Sequence, residues 1–397
     1  MPPYLAGRQE ETTEFEKLLG QTRILENLVL TGLRGVGKTV LLETFKPLAI
    51  KNGWLWVGTD LSEAVSVSEV TLATRLLTDL SLVTSTLTVP SQTRKPAGFN
   101  AETEETRLSL DHAALTEIFN ETPGLVYDKV KRVLEVAWEG ISGASKGGLI
   151  FAYDEAQNLA DRQAKDQYPL SLLLDVFQSI QRAGIPFMLV LTGLPTLFPK
   201  LVEARTFSER MFRVMMLDKL DRDDSRAAIE KPIEDADSPV AFTEAGVEQI
   251  CDHSGGYPYF IQFICREIYD VIIQKTQDQK ENPFTFPMDA IIKKLDTDFF
   301  SGRWARPTDR QRELLRVIAS LEHPDTEFTV QDVVEKSKHV LDKPFSSSHV
   351  NQMLAALCEM GLTYKNRWGK YSFAVPLFGE FIIRQIEKEN EAAGSSV

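Results

Sequence analysis

One segment of eight residues constrains the fold of this chain more than any other, Gly32-Leu33-Arg34-Gly35-Val36-Gly37-Lys38-Thr39. It follows the short apolar run 27–31 and precedes residues 40–45, whose apolar side chains begin a periodic segment that Pro47 limits. An apolar run that is too short for a helix and ends at glycine is typical of a buried strand, whereas a periodic apolar segment is typical of a helix. The sequence therefore predicts a strand, a glycine-rich loop and a helix in immediate succession.

The spacing within this loop matches the phosphate-binding P-loop pattern Gly-x-x-x-x-Gly-Lys-Thr in full. Glycines let backbone N–H groups turn inward around phosphates, and the helix N-terminus adds positive potential. We expect Lys38 to reach the β- and γ-phosphates and Thr39 to ligate magnesium. The expected nucleotide contacts of the loop and the first helical turn are Gly32, Arg34, Gly35, Val36, Gly37, Lys38, Thr39 and Val40. A glycine-rich turn with an incidental lysine is the alternative, and the flanking strand and helix disfavour it.

A second polar feature is the acid pair Asp154-Glu155, which directly follows the apolar run 149–153. At the carboxyl end of a buried strand downstream of a P-loop, Asp154 is predicted to reach the water shell of the magnesium ion. Glu155 is predicted to be the general base that orients or deprotonates the attacking water. The alternative is an acid pair that caps a helix.

Polar residues after the next two strands are weaker candidates. Thr192 follows the apolar run 187–191, where its hydroxyl would sense the γ-phosphate or hold the water; an ordinary strand-ending turn is the alternative. Arginines precede or begin a fifth strand, and we prefer Arg210, with Arg205 second, as the arginine that stabilises transition-state charge. Acting on a neighbouring subunit, that arginine would imply a homo-oligomer. A solvated basic face is the competing interpretation.

The order of elements predicts three domains. Five apolar strands alternate with helices over residues 1–220, which is typical of a parallel sheet covered by helices on both faces. Residues 84–111 are polar and turn-rich, and we interpret them as an inserted loop. Residues 221–301 are predicted to form helices only, and residues 302–397 form a third domain.

Composition excludes several other classes of protein. Hydrophobic residues make up 43% and charged residues 25%, no apolar run reaches the roughly 18 residues of a membrane span, and the amino terminus lacks a secretory signal pattern. The three cysteines and five histidines have no disulfide or metal-ligand spacing. A soluble, cytoplasmic protein without a membrane partner is expected. The formal net charge of −13 argues against unspecific polyanion binding, although the balance is neutral over residues 301–397.

Together, residues 32–39, Asp154-Glu155 and Thr192 resemble the core of an AAA+ or related STAND ATPase. Leu5-Ala6-Gly7-Arg8 is similar to the box that opens these modules, which implies that Leu5 and Arg8 lie beside the adenine. Gly256-Tyr257-Pro258 resembles the glycine-x-proline motif of STAND and origin-recognition-type ATPases. The resemblance implies that Pro258 contacts the nucleotide from a helical lid. No sensor-2 arginine stands next to Gly256, and Arg266 is the substitute we name.

The third domain is similar to a winged-helix domain, because three predicted helices precede a hairpin with its turn at residues 366–369. The expected fold is thus an α/β P-loop NTPase sheet, followed by an all-α lid and a winged helix. Larger STAND proteins often end in a repeat array, and the 397 residues show no such repeat pattern.

The leading hypothesis is an ATPase switch that binds ATP/ADP and Mg²⁺. Lid and winged-helix orientation would report the nucleotide state to a protein partner or a neighbouring subunit. The alternative is a DNA-binding ATPase regulator of origin-binding or transposition type, with duplex DNA as partner. Cations of the third domain favour this alternative: Arg303, Arg306, Arg310, Arg312, Arg316, Lys365, Arg367 and Lys370. The third helix, 346–360, opposes it because it carries no lysine or arginine. A third interpretation is a scaffold that binds nucleotide without hydrolysing it. Glu155 argues against it, because binding alone needs no general base.

Overall fold

The computed structural model describes residues 4–86, 88–94, 103–143, 145–236, 242–277, 287–322, 326–366 and 369–394. The chain divides into two compact units. Apart from Met1, the first consists of Arg8–Thr31 and Lys38–Met216, and the second of Pro2–Gly7, Gly32–Gly37 and Leu217–Val397. The predicted domain boundaries at residues 220 and 301 stay predictions.

The first unit alternates helices and strands, as predicted. Its elements are α1 (Gln9–Leu19), β1 (Asn27–Gly32), α2 (Lys38–Lys51), β2 (Trp54–Val57), α3 (Glu69–Thr84), β3 (Thr88–Arg94), β4 (Thr103–Ser109), α4 (His112–Glu121), α5 (Val126–Ile141), β5 (Gly148–Tyr153), α6 (Pro169–Arg182), β6 (Phe187–Gly193), α7 (Leu197–Ala204), α8 (Ser208–Met211) and β7 (Phe212–Leu217).

Five of these strands form one sheet in the order β2-β5-β6-β1-β7. The pairs β2–β5, β5–β6 and β6–β1 are parallel. Every residue of β1, β5 and β6 is buried, as expected of central strands with both faces covered. The predicted fold class is confirmed for this unit.

Aromatic residues mark the two covered faces of the sheet. On one face, Phe151 of β5 meets Phe177 of α6 with ring centroids 5.1 Å apart, within a core that also includes α3 and α5. On the other face, Phe15 of α1 stacks on Phe45 of α2 at 4.1 Å and meets Trp56 of β2 edge-on. Helices therefore cover both sides of the sheet. Because β2, β5, β6 and β1 run parallel, their carboxyl ends lie at one edge.

The segment 84–111 is not the irregular loop that we expected. Strands β3 and β4 form an antiparallel hairpin in which Thr88 pairs with Ser109 and Arg94 with Thr103. Residues 95–102 lie outside the described residues. The pairing was hidden because main-chain hydrogen bonds hold such a hairpin and the polar sequence shows no alternation of apolar residues.

The second unit is mostly helical. It contains α9 (Arg222–Asp235), α10 (Glu244–Ser254), α11 (Pro258–Gln277), α12 (Met288–Leu295), a π-helical turn (Asp296–Ser301), α13 (Gly302–Trp304), α14 (Asp309–Ala319), α15 (Val330–Val340), α16 (Ser347–Glu359), β8 (Thr363–Lys365), β9 (Tyr371–Phe373) and α17 (Phe378–Gly394). Helices α14 to α16 and the antiparallel pair β8–β9 have the predicted order of three helices and a hairpin.

Helix α17 packs against the π-helical turn within the second unit. Phe378 and Phe381 of this helix pack against Phe300 of the π-helical turn, with ring centroids 6.1 and 5.2 Å away. Arg384 donates two hydrogen bonds to Asp296, which is 4% exposed, at 2.6 and 3.2 Å. The helix is thus anchored by both apolar packing and a buried ion pair. No helix within the described residues is long and apolar enough to cross a membrane.

Candidate nucleotide-binding site

The predicted magnesium ligands meet at the carboxyl end of β5 in the first unit. Thr39, in the first turn of α2, donates a hydrogen bond from Oγ1 to Asp154 Oδ2 at 2.5 Å. The other oxygen of Asp154 accepts a hydrogen bond from the backbone N–H of Glu155 at 2.7 Å, and the residue is 5% exposed. A hydroxyl and a carboxylate separated by 115 residues therefore converge at one point.

An extension of the β2–β5 pairing holds Asp154 in place. The N–H of Asp154 donates to Thr59 O at 3.2 Å, and the N–H of Leu61 donates to Asp154 O at 2.9 Å. This pairing brings Asp60 opposite Asp154. Burial raises the pKa of the Asp60 carboxyl, and the nearby charges of Asp154, Glu155 and Glu43 raise it further. Asp60 is not among the predicted site residues, and it adds a carboxylate at this edge.

These donors fit a magnesium ion. Within the described ranges no group of three or more His, Cys, Asp or Glu side chains has the arrangement of a complete metal site. A magnesium ion does not need such a group, because it keeps several water ligands and binds one or two protein oxygens together with phosphate oxygens. Thr39 and Asp154 would supply the protein oxygens, and the neighbouring carboxylates would favour a cation.

Glu155 is exposed and has a φ of 51°. This left-handed conformation is uncommon for residues other than glycine and recurs where side chains are held for function. Its carboxylate accepts a hydrogen bond from Gln157 Nε2. Gln157 Oε1 in turn accepts from the N–H of Leu194 at 3.1 Å. Gln157 is not among the predicted site residues, and its signal in the sequence is an amide two residues after the predicted base.

Thr192 is completely buried, and its Oγ1 donates to Tyr153 O at 3.1 Å. In this structure the hydroxyl joins the end of β6 to the end of β5. Its role toward the γ-phosphate stays a prediction.

The P-loop residues 32–37 belong to the second unit, and their backbone conformation requires glycine at three positions. Gly35 and Gly37 have φ values of 80° and 93°, in the left-handed region that favours glycine. A Cβ on Gly32 would lie 2.5 Å from Leu217 O. Gly35 O accepts a hydrogen bond from the N–H of Tyr259 at 3.1 Å, so the loop rests against the first turn of α11.

Pro258 is the first residue of α11, after a tight turn at Gly256. Gly256 has a φ of 79°, its carbonyl accepts from Leu220 N–H at 2.8 Å, and a Cβ there would lie 2.3 Å from Leu220 O. Proline suits this position because its fixed φ is compatible with the first helical turn.

The remaining predicted nucleotide contacts differ in exposure. Val36 is 1% and Arg8 7% exposed, Leu5, Lys38 and Val40 are half-buried, and Arg34 is exposed. Arg8 precedes α1 and pairs with Glu11 at 3.5 Å. These contacts remain predictions.

Two of the predicted arginines are engaged elsewhere. Arg205 binds Asp175 with two hydrogen bonds of 2.6 and 2.7 Å. Arg266 is 66% exposed and pairs with Glu267 at 3.5 Å. Arg210 is exposed on α8, and among the described residues no ion pair engages it. Arg205 is therefore held by α6, and the role of Arg210 as the finger stays a prediction.

Comparison with known proteins identifies the family of the chain. The model of the AAA ATPase domain family matches residues 4–230, more than half of the chain. The protein belongs to that family. A second model, a domain of unknown function (DUF8462), matches residues 297–382. No curated protein matches the chain in sequence.

Solved structures share the fold at low sequence identity. The Walker-type ATPase PABY2304 of Pyrococcus abyssi is 17% identical with a TM-score of 0.57, and the match covers 95% of this chain and 96% of that one. The ADP form of the Aeropyrum pernix ORC2 protein is 14% identical with a TM-score of 0.54, covering 98% and 96%. At these identities the likeness concerns the fold alone.

Proposed function

We propose that the protein is an ATP-hydrolysing molecular switch of the AAA+ type. One observation carries the proposal: Thr39 and Asp154 lie 2.5 Å apart, directly beside Glu155, in a chain of the AAA ATPase domain family. The pairing of a helix-start hydroxyl with a strand-end carboxylate is what a magnesium–nucleotide site of a P-loop protein requires.

In the proposed reaction, water attacks the γ-phosphorus of ATP, the bond to the β–γ bridging oxygen breaks, and ADP and phosphate leave. The backbone N–H groups of Gly32–Gly37 and the ammonium of Lys38 bind the phosphate oxygens. Glu155 accepts the proton from the attacking water. Magnesium, when bound by Thr39 and through water by Asp154, supplies positive charge next to the phosphates.

The arrangement of Glu155 favours ATP hydrolysis over nucleotide binding without hydrolysis. Its carboxylate is exposed, so water can reach it, and it directly follows the candidate magnesium ligand. The nucleotide state would then be reported to a partner protein, or to a neighbouring subunit through Arg210.

Duplex DNA is the less favoured partner, because most of the described cations of residues 302–397 already have acidic partners. Arg310 and Arg312 lie near Glu313 and Asp309 on their own helix. Other pairs join different elements, Arg316 with Glu389 at 2.8 Å and Lys370 with Glu327 at 3.7 Å. Paired cations release fewer counterions from a phosphate backbone. Arg367, also proposed for this surface, lies outside the described residues.

The test is steady-state phosphate release with Mg²⁺ and ATP, over a range of protein concentrations, with and without duplex DNA. We expect slow, DNA-indifferent release. Glu155→Gln should retain nucleotide binding and lower release by at least about tenfold. Lys38→Ala should weaken nucleotide affinity by about tenfold or more, the loss of one charge-assisted contact. Turnover unaffected by Glu155→Gln contradicts the assigned base, and strong stimulation by DNA favours the regulator.

A further inference from the structure

Gln157 is fixed at both its side chain and its backbone. It lies in the short turn Ala156–Asn158, directly after Glu155. Its Oε1 accepts a hydrogen bond from Leu194 N–H at 3.1 Å, and its main-chain carbonyl accepts one from Lys200 Nζ at 2.7 Å. The turn that carries Glu155 is thereby tied to the end of β6 and to α7.

The chemistry of these contacts sets the orientation of the amide. A backbone N–H can only donate, so the atom facing Leu194 must be the oxygen of Gln157. Its NH₂ group is then directed at Glu155, whose carboxylate can only accept when ionised. Space for the amide comes from Gly193, since a Cβ there would lie 2.6 Å from Gln157 Oε1.

Lys200 strengthens the tie from α7. Burial lowers the pKa of the Lys200 ammonium, an effect that Glu203 partly opposes. A half-buried charged donor makes a stronger hydrogen bond than a neutral one. The position of α7 is thus linked to the turn that holds Glu155.

We propose that Gln157 is a positioning residue for ATP hydrolysis, which fixes one oxygen of the Glu155 carboxylate and so directs the other at the attacking water. The proposal rests on the proposed function, because Glu155 acts as a base only if ATP is hydrolysed. Through Lys200, the same contact makes the direction of the base depend on the β6–α7 segment.

The physical reason lies in the exposure of Glu155. An exposed glutamate samples several rotamers, and each one other than the productive one removes the base from the reacting water. One hydrogen bond from a fixed amide restricts that choice, and small misplacements of a catalytic group are known to lower rates steeply. Loss of the amide should therefore affect kcat and leave nucleotide binding unchanged, because the side chain and carbonyl of Gln157 bind Glu155, Leu194 and Lys200, none of which is a predicted nucleotide contact.

The test compares Gln157→Met with a matched control, Gln178→Met, which makes the same change at a half-buried position on α6. We expect Gln157→Met to lower kcat about tenfold, with KM and the ADP dissociation constant within about twofold of wild type, and Gln178→Met to behave as wild type. Because Gln157 acts through Glu155, Gln157→Met should have no further effect in a Glu155→Gln background.

A second variant guards against misfolding. Gln157→Glu keeps an acceptor for Leu194 N–H, removes the donor to Glu155 and places a like charge beside it, so its kcat should fall at least as far as that of Gln157→Met. If both Gln157 variants turn over like wild type, or if the two defects multiply in the double variant, Gln157 has no positioning role. If KM and kcat change together, its role is structural. If wild-type protein releases no phosphate, the proposed function itself fails.

Discussion

The buried carboxylate of Asp79 on α3 provides a prediction whose magnitude follows from the structure. Asp79 is 0% exposed and accepts hydrogen bonds from Arg75 Nε at 2.9 Å, from Arg75 Nη2, and from the Tyr153 hydroxyl at 3.1 Å. Arg75→Met would keep most of the apolar volume and leave this carboxylate without its counter-charge. Removing one partner of a buried ion pair costs about 3–5 kcal/mol.

Because the Arg75 side chain is 28% exposed, water can partly enter the vacated site, and we expect the lower end, about 3 kcal/mol. With a shift of about 2–4 °C per kcal/mol, the Tm of the first unit should fall by about 6–12 °C. Differential scanning calorimetry without nucleotide would measure this fall in Tm. The matched control is Arg132→Met, where the arginine is 51% exposed and lies 4.0 Å from Glu135, and should change stability by less than about 0.5 kcal/mol.

Combining Arg75→Met with Asp79→Leu and Tyr153→Phe removes the charge and both of its partners together. Most of the lost stability should return, because apolar groups of similar volume replace a buried ion pair at little cost. If Arg75→Met and Arg132→Met shift the Tm equally, Asp79 does not depend on Arg75 and the reasoning is wrong.

Three further predictions concern other parts of the chain. Arg210→Ala should lower phosphate release mainly at protein concentrations at which the chain self-associates, and a defect that is independent of concentration would favour a role within one subunit. Gly256→Ala should destabilise the second unit by about 2–4 kcal/mol, because it combines a left-handed φ with a clash against Leu220 O. The control is Gly302→Ala, which adds a Cβ with nothing within 4 Å in a helix and should stabilise the protein by about 0.5–1 kcal/mol. Urea unfolding would measure both changes. Burial raises the pKa of the Cys265 thiol to about 12, so this thiol's contribution to stability is full below pH 9 and is lost as the pH rises toward 12. Cys265 is half-buried, but its raised pKa leaves little thiolate at pH 8, so a thiol reagent should label it more slowly in the native protein than in urea. Equal labelling rates with and without urea would contradict the raised pKa.

The central sheet and the P-loop were predictable because their signals are local. Apolar runs followed by glycine or by an acid pair gave β1 and β5, and the P-loop spacing placed Lys38 and Thr39 at the start of α2. The convergence of Thr39 with Asp154 follows from the parallel pairing of the central strands, which the alternation of strands and helices already indicated.

Side-chain partners were not predictable in the same way. Gln157, Asp60 and Lys200 come together through turns and strand ends, and no residue pattern encodes such contacts. The sequence makes Arg205 a plausible arginine finger. In the structure, however, its guanidinium binds Asp175 of α6, which lies 30 residues away in the chain. The hairpin β3–β4 was not predicted, because backbone pairing forms it and its polar sequence carries no apolar alternation.

The anchoring of Asp296 limits how the carboxyl-terminal part can be shortened. A fragment ending at residue 382, where the second family match ends, would lack Arg384 and Lys388, the two cations that lie within 4 Å of that carboxylate. Asp296 would then remain inside the π-helical turn without a neutralising partner. Trimming or proteolysis inside α17 should therefore loosen residues almost a hundred positions earlier in the chain, and a stable fragment has to extend past residue 388.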